Sequence, residues 1–223
     1  MTEPQQLADD LWTWSEARQG LPATMRSYLL TDGDDTILVD PLASSVEAPD
    51  LLAALDELVG VRVRILVTTP LHTRGAGLLW ARWHRDRDVG IHGHRNVGSR
   101  LEDTAPLIAV RAGEGLGSGD ASTLPLGRPP RPEQPWHLPG HRALAFGDTV
   151  LEVDGELRVW PRLRSDALAR GTYEQKLLPT LRPMADLEVD RVLVTHGSPV
   201  LTGGAAELGR ALERPIWKRA ELY

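Results

Sequence analysis

The sequence contains no cysteine. That excludes a disulfide framework and any thiolate metal site, and it fits a reducing, cytoplasmic setting. No apolar run approaches the ~20 residues needed to span a bilayer, so no membrane partner is expected. The opening residues, MTEPQQLADD, are acidic and hold no basic segment followed by an apolar core, so they do not read as a secretory signal. Positive charge is also in short supply. Lys and Arg number 25 against 31 Asp and Glu, a net charge of −6, which argues against a nucleic-acid partner. Phenylalanine occurs once against seven tryptophans, a usage that points to no function by itself. There is no G-x-S-x-G elbow, and Ser198 follows His196 too closely to be its nucleophile in an ordinary triad.

What is present suits one globular domain spanning 1–223. Apolar residues make up 41% of the chain and charged residues 25%, and no linker separates two cores. Residues 7–14 alternate as a half-buried strand would, with Trp12 and Trp14 on one side as core rings. Residues 25–31 and 36–40 flank TDGDD, whose Asp-Gly pair marks a tight hairpin. PDLLAALDELV (49–59) reads as an amphipathic helix with Pro in its first turn and Gly60 at its end. Residues 61–68 are almost unbroken in apolar character, as a buried central strand requires.

A helix is expected over 73–84, a short strand over 89–92 and a helix over 96–102. Residues 111–135 are rich in Gly and Pro and read as loop, with an edge strand around 122–126. Short strands follow from Trp136, with Asp154-Gly155 marking a second hairpin. A helix over 173–184 should break near Pro179. A buried central strand over 191–195 and a helix over 202–212 complete the reading. The whole is α/β (α+β), and ligands bind at strand C-termini in such sheets.

Four segments carry the chemistry in order: TILVDP (36–41), TTPLHTRGAG (68–77), FGD (146–148) and VTHG (194–197). Together they resemble the metallo-β-lactamase superfamily. There an LVDP-like strand precedes a strand ending T-H-x-H-x-D-H-x-G-G, followed by T-G-D and T-H-G segments. The resemblance covers most of the chain and implies a four-layer αββα sandwich with a dinuclear metal site. It also implies that Asp148 is the bridging carboxylate and His196 the last histidine. In register, however, Thr69 and Leu71 stand in place of the paired histidines, Thr73 in place of the aspartate and Arg74 in place of the next histidine. HLPGH (137–141) resembles the H-T-P-G-H segment, which would make His141 a ligand. Alternatively, 139–142 is the turn just before the RALAFGD strand.

Zinc sites want three or four His or carboxylate ligands, and a dinuclear centre needs about twice that supply. Thr and Leu cannot replace imidazoles, and an arginine brings permanent positive charge into a cation site. The expectation is a protein that lacks the dinuclear zinc site and needs no cofactor. It would be a non-hydrolytic or ligand-binding pseudoenzyme taking a small molecule, with Asp148, His196 and Arg74 as its working residues. Asp40, Thr69 and Thr73 would be structural beside them, with Thr68, Thr69 and Thr73 available to cap the helix near Arg74. The alternative is a mononuclear hydrolase of esters, thioesters or lactones, holding one zinc, iron or manganese ion on His141, Asp148, His196 and His72. His72 sits one residue off the consensus ligand position, a step that tends to turn a side chain the other way. A third option is a metal-independent enzyme built around Arg74 and Asp148. His92 and His94 read as surface or loop residues, and His84 as solvated. No feature of the sequence fixes an oligomeric state.

Overall fold

The computed structural model describes residues 2–17, 24–44, 48–102, 105–161 and 166–217, with backbone alone at 166 and 167. The chain divides into two units, the first ending at Arg111 and the second beginning at Ala112. The first is built on a seven-stranded sheet whose spatial order follows the chain: β1 (Gln5–Ala8), β2 (Leu11–Glu16), β3 (Met25–Asp32), β4 (Asp35–Val39), β5 (Arg62–Val67), β6 (Asp88–Gly93) and β7 (Leu107–Ala109). Strands β1 to β4 pair antiparallel and β4 to β7 parallel. Helices α1 (Pro49–Leu58) and α2 (Ala76–Trp83) make the crossovers that parallel pairing requires.

Local chemistry explains most of this. Gly33, at φ +56°, turns β3 into β4. The expected single strand over 7–14 is instead two hairpin arms, broken by a turn at Asp9 and Asp10. Trp14 is buried as expected whereas Trp12 is only partly buried, and the Trp14 indole N–H donates to the Leu42 carbonyl at 2.7 Å. Helix α1 has Pro in its first turn and buries Leu51, Leu52 and Leu55. Helix α2 begins later than the sequence suggests, because residues 69–75 are spent in turns. The His72 N–H donates to the Thr69 carbonyl (2.8 Å), and the Gly75 N–H donates to the Pro41 carbonyl (2.9 Å). Gly75 approaches Ala43 so closely that a Cβ there would lie 2.5 Å from the alanine methyl. The helix expected over 96–102 is a 3-10 helix, Arg95–Arg100, whose first turn is capped by the His94 ring accepting the Asn96 N–H (3.2 Å).

The second unit holds β8 (Ser122–Thr123), β9 (Trp136–Leu138), β10 (Ala143–Phe146), a hairpin of β11 (Val150–Val153) and β12 (Glu156–Val159), and β13 (Arg191–Val194). Four of these form a sheet in the order β13-β10-β9-β8. Strand β13 is buried as expected but ends the sheet rather than running through its middle. Its outer side is covered by Val200, which exchanges two backbone hydrogen bonds with Val192 (2.8 and 3.0 Å). Helices α3 (Asp166–Thr172), α4 (Leu178–Ala185) and α5 (Gly204–Glu213) follow, and α4 and α5 contribute Leu181 and Leu208 to a core with Leu144, Phe146, Val192 and Val194. The break expected at Pro179 falls earlier, in a π-helical turn over Tyr173–Leu177. Pro179 itself lies in the first turn of α4, where its missing N–H costs little. Among the described residues no helix is long and apolar enough to cross a membrane.

Candidate functional site

Because β4 and β5 are parallel, their C-terminal ends open on the same edge of the first unit's sheet, where Asp40 and Thr68 emerge. Asp40 is buried in a left-handed conformation, φ +46°. Its Oδ1 accepts the Thr68 N–H (2.8 Å), and its Oδ2 accepts the Thr68 hydroxyl (2.5 Å) and faces His72 Nδ1 at 2.9 Å. An ionised carboxylate only accepts, so this contact assigns the proton to His72 Nδ1. Burial alone would push the Asp40 carboxyl up. The nearby His72, through charge and hydrogen bond, outweighs it with help from Arg74 and Thr68, and the group sits below the usual carboxylate range. Ser27 ties the segment down, its hydroxyl donating to the Asp40 carbonyl (2.7 Å) and accepting the Leu42 N–H (2.8 Å).

The expectation that His72 turns away from this edge is overturned. The loop does not alternate as an extended chain would, since the backbone turns between Thr69 and His72; Arg74, further on, is left-handed at φ +38°. Asp40 and Arg74 are both non-glycine residues at positive φ, at a cost of roughly 1–3 kcal/mol each. The Arg74 guanidinium lies 3.5 Å from the Asp40 carbonyl and 3.6 Å from the Met25 sulfur. The threonine caps expected for α2 are not used, because its N-cap is Gly75 without a side-chain bond and Thr68 is committed to Asp40. Thr69 is buried, Leu71 is about half exposed, and Thr73 contributes its carbonyl to the Ala76 N–H. The four loop positions where the resemblance calls for metal ligands thus carry two hydroxyls, an alkyl group and a guanidinium. That donor set does not fit a two-metal centre.

The surface reading of His92 is also corrected. It lies on β6, buried, with neither ring nitrogen hydrogen-bonded among the described residues. His94 follows β6 as a cap, and His84 is exposed and stacked on Trp80.

In the second unit β10 and β13 are parallel, so the residues that follow them meet at one edge. Asp148 Oδ1 lies 3.0 Å from His196 Nε2, and both side chains are buried. The carboxylate places a proton on Nε2. Glu152 holds the loop beyond: its N–H donates to the His196 carbonyl (2.9 Å), and its carboxylate accepts the N–H groups of Gly155 and Ser198, both at 2.6 Å. Glu133, which sequence reasoning missed, is buried beneath the Asp148 turn. Nothing in the sequence separates it from the other acidic residues of a Gly- and Pro-rich loop. His141 is not brought to this edge. It lies in the 3-10 turn Pro139–His141 that enters β10, while Asp148 follows the other end of that strand. Of the two readings of HLPGH, the turn is the one observed.

No family model and no curated protein matches the chain. Solved structures do. The DIM-1 metallo-β-lactamase aligns over 95% of this chain and 96% of its own, with 15% identity and a TM-score of 0.62. A metallo-β-lactamase from Erythrobacter litoralis aligns over 94% and 95%, with 16% identity and a TM-score of 0.63. A metallo-β-lactamase family protein from Thermus thermophilus aligns over 93% of this chain and 80% of its own, with 18% identity and a TM-score of 0.60. The chain therefore has the metallo-β-lactamase fold, the αββα sandwich that the ordered motifs imply. At these identities the likeness speaks for the fold alone.

Proposed function

We propose that this chain acts as one domain in the cytoplasm, as a metallo-β-lactamase-fold protein without a dinuclear zinc site. It would bind a small molecule without metal-dependent hydrolysis and act on neither nucleic acid nor membrane. The observation that carries this reading is the loop donor set of Thr69, Leu71, Thr73 and Arg74, which supplies neither imidazole nor carboxylate. The Asp148–His196 hydrogen bond supports it, since two groups of ligand type satisfy each other directly. Arg74, Asp148 and His196 are the residues proposed to meet the ligand, with Asp40, Thr69 and Thr73 shaping the backbone around them. On this reading β-lactams, thioesters and lactones turn over no faster with the protein than without it, whether or not zinc is added.

A second reading is favoured by a specific observation, the fixed tautomer of His72. Asp40 holding Nδ1 is the arrangement that orients metal-binding imidazoles. His72, Asp148 and His196 are a buried imidazole, carboxylate and imidazole, the three-ligand supply of a mononuclear catalytic site. One zinc, iron or manganese ion held by them would lower the pKa of a bound water for attack on an ester, thioester or lactone carbonyl. Hydrolysis that is abolished by chelator and by His196→Ala would establish this reading and remove the first.

A further inference from the structure

We infer that Glu133 is the positioning residue of the Asp148–His196 pair. The inference rests on reading that pair as functional. Glu133 comes from the Gly- and Pro-rich segment between β8 and β9, and its side chain is buried. Its Oε1 accepts two backbone N–H groups, those of Asp148 and Thr149, both at 3.0 Å. Its Oε2 accepts the Thr149 hydroxyl at 2.7 Å. Residues 147–149 are the whole connection between β10 and β11, so three of the bonds that set its shape end on one carboxylate. Three bonds converging on one buried side chain hold the turn by their number and by a geometry that depends on the reach of the side chain. With the Asp148 N–H held from below, the Cα–Cβ direction of Asp148 is set, and its Oδ1 reaches His196 Nε2 at 3.0 Å. The three bonds end on the Asp148–Thr149 turn, the backbone that carries the Asp148 carboxylate to His196.

Reach and charge can be separated. Glu133→Gln keeps the length: its Oε1 can still accept both N–H groups, and its amide can donate to the Thr149 hydroxyl. Glu133→Asp keeps the charge but is one methylene too short. Two NMR readouts apply to the full chain. Amide exchange of Asp148 and Thr149 reports the clamp. The His196 imidazole Nε2–H resonance, identified by its loss in His196→Gln, reports the aim of Asp148. Glu133→Asp is expected to speed exchange of both amides by about tenfold or more and to abolish the imidazole resonance. Glu133→Gln should retain both signals near their native state.

An imidazole resonance that persists in Glu133→Asp while the amides lose protection would make Glu133 a loop anchor only and overturn the inference. So would loss of that resonance in a folded Glu133→Gln. A native protein with protected amides but no such resonance would remove the pair itself, and the positioning role with it. If Glu133→Asp does not fold, Thr149→Val removes one bond of the three. Exchange at Asp148 should then rise by about threefold or more, with a shifted imidazole resonance, and unchanged spectra would overturn the inference.

Discussion

His92 shows how a single side chain sets a pH limit on this fold. Burial, and then the charge of Arg64, push its pKa from 6.5 down to about 4, against a smaller opposing pull from Asp88. The unfolded chain takes up a proton near pH 6.5 that the native state refuses until about pH 4. Stability is therefore full above that window and falls as pH drops through it, by on the order of 3 kcal/mol. In His92→Leu, urea unfolding measured against pH should lose this component. A variant that keeps the native slope would show that another group is responsible. Asp40 works in the same direction at lower pH, because its lowered native pKa makes its contribution present above the ordinary carboxylate range and lost below it. Asp40→Asn keeps an acceptor for the Thr68 N–H but cannot accept from both the Thr68 hydroxyl and His72. It should cost about 1–3 kcal/mol in unfolding free energy at neutral pH. A midpoint equal to the native one would mean the contacts at Asp40 contribute no net stability.

At the scale of elements, the loop after β13 is tightly constrained by backbone shape. Gly197 has φ +96°, and a Cβ there would lie 2.6 Å from both the carbonyl and a carboxylate oxygen of Glu152. Gly197→Ala should destabilise by more than about 1 kcal/mol. Gly209→Ala, with open space on α5, should stabilise by roughly 0.5–1 kcal/mol. Thermal melts of the two variants should move in opposite directions, and equal shifts would contradict the backbone account. Much at this scale was legible in the sequence, because it depends on local chemistry. The Asp-Gly turns at Gly33 and Gly155 and the Pro-started α1 lie where their residues put them, and β5 buries Val63, Ile65, Leu66 and Val67 as expected while Val61 stays exposed outside it. What was not legible depends on distant partners. Val200 closing β13 into a sheet end, the π turn before Pro179, and Gly75 against Ala43 are set by packing that no short window contains. The candidate site divides the same way. The positions of Asp148 and His196 follow from motif order, whereas His72 meeting Asp40 goes with a backbone turn between Thr69 and His72, and Glu133 carries no sequence signal at all.

At the scale of the whole molecule, the chain has the metallo-β-lactamase fold, and on the proposed reading it carries donors that do not suit two metals. On that reading Thr69, Leu71, Thr73 and Arg74 stand at the positions from which the resemblance would draw half the ligands of a dinuclear centre, and Arg74 adds a permanent positive charge there. Added metal would then have little to distinguish the native state, and a ligand stabilises only by binding that state more tightly. The melting temperature should therefore hold steady in zinc. The most direct test is the metal content of full-length protein purified without chelator, measured by inductively coupled plasma mass spectrometry after gel filtration in trace zinc, iron and manganese. Well under one equivalent of any of them is expected. One or more equivalents, retained through the column and lost in His196→Ala, would contradict it.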